Sequence, residues 1–96
     1  MSYISEALKI LREELGDEWS DEPESESLLR LYALLALVKG ANVTHEDVHN
    51  AWALWTEQSN PSHPSIVPFD HLSAEIQQED RPFLTAIHRA ASRLRS

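Results

Sequence analysis

An apolar run in the first half of the chain constrains the fold more than any other feature. From Leu28 to Val38, only Arg30 is neither apolar nor tyrosine. A helix that is apolar on nearly every side is normally a central, buried one, and this run is too short to span a bilayer. We therefore predict a central helix over residues 23–39, with Pro23 in its first turn. The alternative is that one of its sides meets a second chain, as in a homodimer.

Two amphipathic helices are predicted on either side of this run. Thr44 and Asp47 are spaced almost as in a capping box, which predicts a helix that ends near Gln58. Gly16 and Gly40 each follow a helical run, where a left-handed C-terminal cap favours glycine. The first helix has its apolar residues at helical spacing, namely Ile4, Ala7, Leu8, Leu11 and Leu15.

A proline-rich segment separates the third helix from the end of the chain. Residues 60–64 have the composition of a loop, and a residue that precedes a proline favours extended backbone. Ser73 is expected to cap a short helix through Gln78, and Asp80 to cap a last helix. The sequence thus predicts an all-α fold: a single small domain, residues 1–96, of about four main helices plus a short helix, with an extended Pro-rich segment between helices 3 and 4.

Charge and composition exclude several classes of function. The net charge is −8, and residues 41–80 carry seven acidic side chains without a single Lys or Arg. Such a chain repels nucleic acid and anionic lipid. The absence of cysteine excludes disulfides and cysteine chemistry, and with neither a membrane span nor a signal peptide we expect a cytoplasmic protein.

The last 16 residues reverse the charge, with four arginines and no acid. We expect Arg81, Arg89, Arg93 and Arg95 to lie near carboxylates such as Glu13, Glu14, Asp17 and Glu18. An anion or phosphate site is the alternative.

His45-Glu46-Asp47-Val48-His49 fits the H-E-x-x-H pattern of zinc hydrolases, in which two histidines bind the metal and the glutamate is the general base. His45, however, would be the first residue after the helix cap, and nothing in the sequence positions a third ligand. We therefore expect no catalytic residues, no metal and no cofactor, and we keep a zinc hydrolase as a remote alternative.

Two sequence segments resemble the ryanodine-receptor-type repeat over residues 48–92. They are Val48 to Trp52, with its H-x-x-W start, and His63 to Leu72, with its His-Pro and Val-Pro-Phe elements; Asp80-Arg81 follows. The resemblance implies that Pro68 and Phe69 pin an extended segment onto the Trp52 helix. It also implies a nucleotide-like ligand, although the G-W-x-Y-G-like stretch of that repeat is missing.

The whole chain is also similar to a small uncharacterised acidic family from actinobacteria and their phages. The similarity is carried by Arg30 to Gly40 and by Glu46 to Trp52. It implies a phage-borne accessory protein and brings no established activity.

Three tryptophans in 96 residues are many, and Trp and neighbouring aromatic residues are frequent interface anchors, although most pack in cores. Our leading hypothesis is a non-enzymatic module that binds a host or phage protein. The alternative is a module in which Arg81, Arg89 or His88 meets an anionic nucleotide. The candidate binding residues are Trp52, Trp55, His63, Pro68, Phe69, Arg81 and Arg89.

Overall fold

A computed structural model describes residues 2–19 and 22–95. Within them the chain forms helices and no strand, which confirms the predicted all-α domain of four main helices and one short helix. The α-helices are α1 (Tyr3–Leu15), α2 (Ser25–Lys39), α3 (His45–Glu57), α4 (Ala74–Gln78) and α5 (Arg81–Arg95). Short 3₁₀ turns occupy Gly16–Glu18, Gly40–Asn42 and Phe69–His71.

The central position predicted for α2 is confirmed, because α2 packs against α1, α3 and α5. Leu29 and Tyr32 are its most deeply buried side chains. The helix begins at Ser25, two residues after Pro23, which was expected in its first turn. The N–H of Ser25 donates to the carbonyl of Glu22, so this proline belongs to a turn that precedes the helix.

One side of α2 remains open. Leu34 and Val38 are 53% and 70% exposed, and Leu37 lies beside them. Leu34 and Leu37 line a shallow groove together with Ile4 of α1. The homodimer expected as an alternative from the sequence would cover this face, and a solution mass of twice 10.9 kDa would reveal it.

Helices α1 and α5 close the core from the other side. Small residues of α5, Ala86, Ala90 and Ala91, are buried and let the helices approach closely. Arg93 donates to Glu13 Oε1 over 2.7 Å and to Glu14 Oε2 over 3.0 Å. The predicted match between the terminal arginines and the acids of α1 is thus confirmed for Arg93, at an exposed site where an ion pair stabilises little.

Both glycines have the positive φ predicted for them, but not the left-handed helical conformation. Gly16 has φ 53° and ψ −131°, and Gly40 has φ 57° and ψ −125°. Their N–H groups donate to the carbonyls of Arg12 and Ala36, and a 3₁₀ turn then begins. The negative ψ mirrors extended backbone, which residues with a Cβ rarely adopt.

Side-chain caps fix the starts of α3 and α4. Thr44 Oγ1 accepts from the Asp47 N–H, and Asp47 Oδ2 accepts from the Thr44 N–H, so the predicted capping box is present. Ser73 Oγ accepts from the Ile76 N–H, as predicted. In the described part of the chain, no helix combines the length and apolarity needed to cross a bilayer.

We expect Gly16→Ala and Gly40→Ala each to lower the free energy of unfolding by about 1–3 kcal/mol, because both force a Cβ into this backbone conformation. A Cβ at Gly16 meets nothing within 4 Å, whereas one at Gly40 would meet the guanidinium of Arg95, the flexible end of an exposed side chain. Urea unfolding measures both costs. The two substitutions should cost about the same, because the arginine can move aside, and an Arg95→Ala background should leave the cost of Gly40→Ala unchanged. A neutral result at either glycine would contradict the assigned backbone.

Candidate functional site

A pocket with a volume of about 510 Å³ lies where α2, α3 and α5 meet the loops. Aromatic and imidazole side chains form most of its lining, and two carboxylates complete it. No Lys or Arg belongs to its described lining. The lining residues are Trp19, Leu28, Tyr32, His49, Trp52, His63, Ser65, Ile76, Glu79, Asp80 and Phe83.

One wall is a cluster of three aromatic rings from different parts of the chain. Trp19 follows α1, Tyr32 lies on α2 and Phe83 on α5. The ring centroids are 6.1 Å apart for Trp19 and Tyr32, 6.4 Å for Trp19 and Phe83, and 5.9 Å for Tyr32 and Phe83. Both contacts of Trp19 are edge-to-face, a favourable geometry for aromatic rings. We call these three residues the aromatic wall.

The opposite side of the pocket is built from α3 and the proline-rich segment. The ring of Trp52 stacks on His49 at 5.9 Å and meets His63 edge-to-face at 5.1 Å. His63 Nδ1 accepts a hydrogen bond from the Ser65 N–H over 3.1 Å. This bond fixes the plane of the imidazole against Trp52. We call His49, Trp52 and His63 the imidazole wall.

Glu79 and Asp80 bring negative charge to the pocket from the turn between α4 and α5. Burial is the main reason why the pKa of the Asp80 carboxyl is raised, and the charge of Glu79 acts in the same direction. His49 and His45 oppose the rise. The Asp80 carbonyl accepts from the Leu84 N–H, so α5 starts where predicted. No hydrogen bond joins the Asp80 carboxylate to the first turn, which contradicts the predicted side-chain cap within the described residues.

Tyr32 places a phenol at the same pocket. Burial, and to a lesser degree the charge of Asp80, raise the pKa of this phenol, so it remains protonated at neutral pH. Its side chain is 1% exposed, yet no hydrogen bond links its hydroxyl to another described residue. Tyr32 therefore contributes to the lining of the pocket a hydroxyl that is unpaired within the described residues.

The proline-rich segment is held against α3 by side chains. His49 Nε2 donates to the Val67 carbonyl over 2.7 Å. The Phe69 ring packs on His45 and His49 with centroid distances of 6.0 and 6.1 Å. Gln77 Nε2 donates to the carbonyls of Phe69 and Leu72. The pinning of this segment, expected from the repeat resemblance, is thus confirmed for Phe69.

The H-E-x-x-H histidines pack against this segment. His49 Nε2 is engaged by the Val67 carbonyl, while His45 Nε2 is buried without a hydrogen-bond partner. No three metal-ligating side chains converge within residues 2–19 and 22–95.

A family profile described as "Domain of unknown function (DUF7701)" matches residues 2–92. The chain belongs to this family. The match includes the central helix α2 as well as the pocket, whereas the ryanodine-receptor-type resemblance concerns residues 48–92 alone. Comparisons with curated proteins and with solved structures give no match. The family description states no activity, so the function of this DUF7701 domain has to follow from its pocket.

The predicted binding residues of the DUF7701 domain fall into two groups. Trp52 and His63 line the pocket. The others lie outside its lining: Trp55 donates from Nε1 to Ser27 Oγ over 3.0 Å, Pro68 and Phe69 line a separate open hollow, and Arg81 and Arg89 are exposed. Arg81 donates to Gln78 Oε1 rather than to an acid of α1.

Sequence reasoning did not single out Trp19, Phe83 or the two carboxylates as parts of one site. Trp19 is the one aromatic residue in the sequence of the largely acidic connection between α1 and α2, and that isolation is the signal that could have identified it. Glu79 and Asp80 gave no comparable signal, because acids before a helix usually act as caps.

We expect His49→Ala to loosen the proline-rich segment. The substitution removes the hydrogen bond to Val67 and the ring beneath Phe69, and should lower the free energy of unfolding by about 2–4 kcal/mol. Hydrogen exchange should accelerate most at the amides of residues 63–72. His71→Ala, at an exposed position of the same segment, is the control. Unchanged exchange at residues 63–72 in His49→Ala would contradict the role of His49 in holding this segment.

We expect Asp80→Asn to stabilise the protein at neutral pH. The folded state raises the pKa of Asp80, so its favourable contribution is present at acidic pH, where the carboxyl is protonated, and is lost as the pH rises through that pKa. The gain should stay below about 4 °C in Tm, because solvent screens a half-buried charge.

Thermal unfolding from pH 3 to pH 8 tests this effect, with Asp70→Asn at an exposed position as the control. The Tm difference between wild type and Asp80→Asn should grow with pH. A lower Tm for Asp80→Asn at pH 7 would show that the charge stabilises the fold.

Proposed function

We propose that this protein is a non-enzymatic, cytoplasmic interaction module, of the kind that phages use as accessory proteins, and that it holds a host or phage protein by taking one of its side chains into the pocket. The observation that carries the proposal is the pocket itself. Mostly apolar and aromatic walls with a few convergent polar groups are typical of binding sites, and aromatic anchors are enriched at interface hot spots.

The arrangement of polar groups in the pocket favours binding over catalysis. Nucleophilic catalysis by serine requires its hydroxyl within hydrogen-bond reach of a base. Ser65 is the serine of the described lining, and its link to His63 runs from the backbone N–H instead of the hydroxyl. His49, the other imidazole of the lining, is bonded to a backbone carbonyl. Each imidazole thus has a supporting role within the fold.

An anionic nucleotide is a weaker candidate for this pocket. Its described lining holds two carboxylates, while Arg81 and Arg89 are exposed and lie outside it. A phosphate in the pocket would face negative charge without a cation to offset it. Nucleotide binding stays a prediction for the exposed face of α5. Thermal-shift measurements with a panel of nucleotides test it.

A variant that fills the pocket tests the proposed function. Ser65→Phe adds a ring to the lining, and Ser62→Phe adds the same ring at an exposed position of the same segment. We expect wild type and Ser62→Phe to enrich the same protein from cells that naturally carry the gene. Ser65→Phe should bind that purified protein at least about tenfold more weakly, which corresponds to ~1.4 kcal/mol.

Circular dichroism and Tm establish that both variants are folded before binding is compared. Titration calorimetry with the purified partner then gives the affinities. Equal affinity of the partner for Ser65→Phe and Ser62→Phe would place the interface elsewhere on the molecule. Enrichment of the same proteins by wild type, Ser62→Phe and Ser65→Phe would lead to the same conclusion.

A further inference from the structure

The two carboxylates of the pocket lack a cationic partner within the described chain. The ion pairs of the described residues join Arg12 to Glu26, Lys39 to Asp47, and Arg93 to Glu13 and Glu14. None of them involves Glu79 or Asp80. Asp80 is half-buried, and charges removed from water are normally paired. The pairing charge at this site is therefore expected from a ligand.

Like the two carboxylates, the surrounding walls favour a cation. A cation close to the face of an aromatic ring is attracted by the ring quadrupole, most strongly by tryptophan. The pocket has Trp19 in the aromatic wall and Trp52 in the imidazole wall. An alkyl-ammonium ligand could contact these rings with its methylene groups and direct its charge to Asp80.

The supply of hydrogen-bond acceptors further selects the kind of cation. An ammonium group has three donors, whereas a guanidinium has five in a fixed plane. The carboxylates of Glu79 and Asp80 and the hydroxyl oxygen of Tyr32 offer acceptors at the pocket. These acceptors come from a turn and from α2, and a compact ammonium group, whose three donors rotate freely, can meet them without the fixed plane that a guanidinium requires.

We infer that the pocket binds the ammonium group of a lysine side chain presented by the partner protein, with its charge at Asp80 and Glu79 and its aliphatic stem between the aromatic and imidazole walls. This inference rests on the proposed function and names the chemistry of the captured side chain. Long lysine stems commonly pack on apolar surface while the charged head remains near polar groups.

The three tryptophan indoles allow a direct test by ¹H–¹⁵N NMR. Trp19 and Trp52 line the pocket, whereas Trp55 lies outside it with its Nε1–H donated to Ser27. The full chain is titrated at constant pH and ionic strength with N-acetyl-lysine amide, N-acetyl-norleucine amide and N-acetyl-arginine amide. Norleucine is the uncharged counterpart of the lysine stem.

We expect the lysine amide to shift the Nε1–H signals of Trp19 and Trp52, with a dissociation constant of about 1 mM, and to leave the Trp55 signal in place. Norleucine and arginine amides should bind at least about tenfold more weakly. Asp80→Asn should weaken lysine binding about tenfold, because it removes a hydrogen bond between charged groups. Asp70→Asn, at an exposed site, should leave the binding unchanged.

Several outcomes would overturn the inference. If the norleucine amide binds as tightly as the lysine amide, the pocket is simply apolar. If the arginine amide binds more tightly than the lysine amide, the pocket is a guanidinium site. If the lysine amide leaves the Trp19 and Trp52 signals unshifted, no ammonium group enters the pocket. In each case the proposed function stands if Ser65→Phe still loses the purified partner. If Ser65→Phe keeps the partner while lysine shifts both indoles, the pocket binds free ammonium compounds and both the proposed function and the lysine partner are wrong.

Discussion

The burial of α2 on three sides determines where the other main helices lie. Its apolar residues leave so little polar surface that α1, α3 and α5 must all pack against it. Burying one Leu-sized side chain contributes about 1.5–3 kcal/mol, and α2 places Leu28, Leu29 and Tyr32 in the core. Tyr32 also reaches the edge of this core, where it joins Trp19 and Phe83. The aromatic wall is therefore an extension of the hydrophobic core.

The imidazole wall depends on a different kind of interaction. The segment between α3 and α4 consists mainly of turns, whose backbone hydrogen bonds leave the carbonyls of Val67 and Leu72 without a backbone partner among the described residues. Backbone carbonyls that approach the protein interior need other partners, and His49 and Gln77 supply them. The segment keeps its course because side chains of two helices bind its carbonyls, and the shape of the pocket follows from these few bonds.

Helices, caps and turns could be predicted from the sequence because each depends on neighbouring residues. The capping box at Thr44, the cap at Ser73 and the central position of α2 follow from spacing and polarity alone. The conformation predicted for Gly16 and Gly40 was wrong in ψ. A preference for glycine indicates positive φ without specifying the turn that follows. The start of α2 at Ser25 shows the same limit, because Pro23 suits a turn as well as a first helical turn.

The pocket could not be predicted in the same way. Trp19, Tyr32, Trp52 and Asp80 are separated by long stretches of chain, and only the packing of the helices brings them to one site. Local patterns even suggested other roles. The spacing of His45 and His49 is that of zinc ligands, but it equally places two flat rings on one face of α3, where they pack against Phe69.

A half-buried, unpaired carboxylate in so small a domain calls for a physical explanation. A domain of about 100 residues has a marginal free energy of unfolding, and the raised pKa of Asp80 indicates that burial disfavours its charge. A neutral residue there would relieve this cost, so the acid is more readily understood as part of a site than as part of the scaffold. The lack of Lys and Arg from residue 41 to residue 80 has a related consequence: α3 and the proline-rich segment bring Asp80 no lysine or arginine, and the groups of α3 that favour its charge are the imidazoles of His45 and His49.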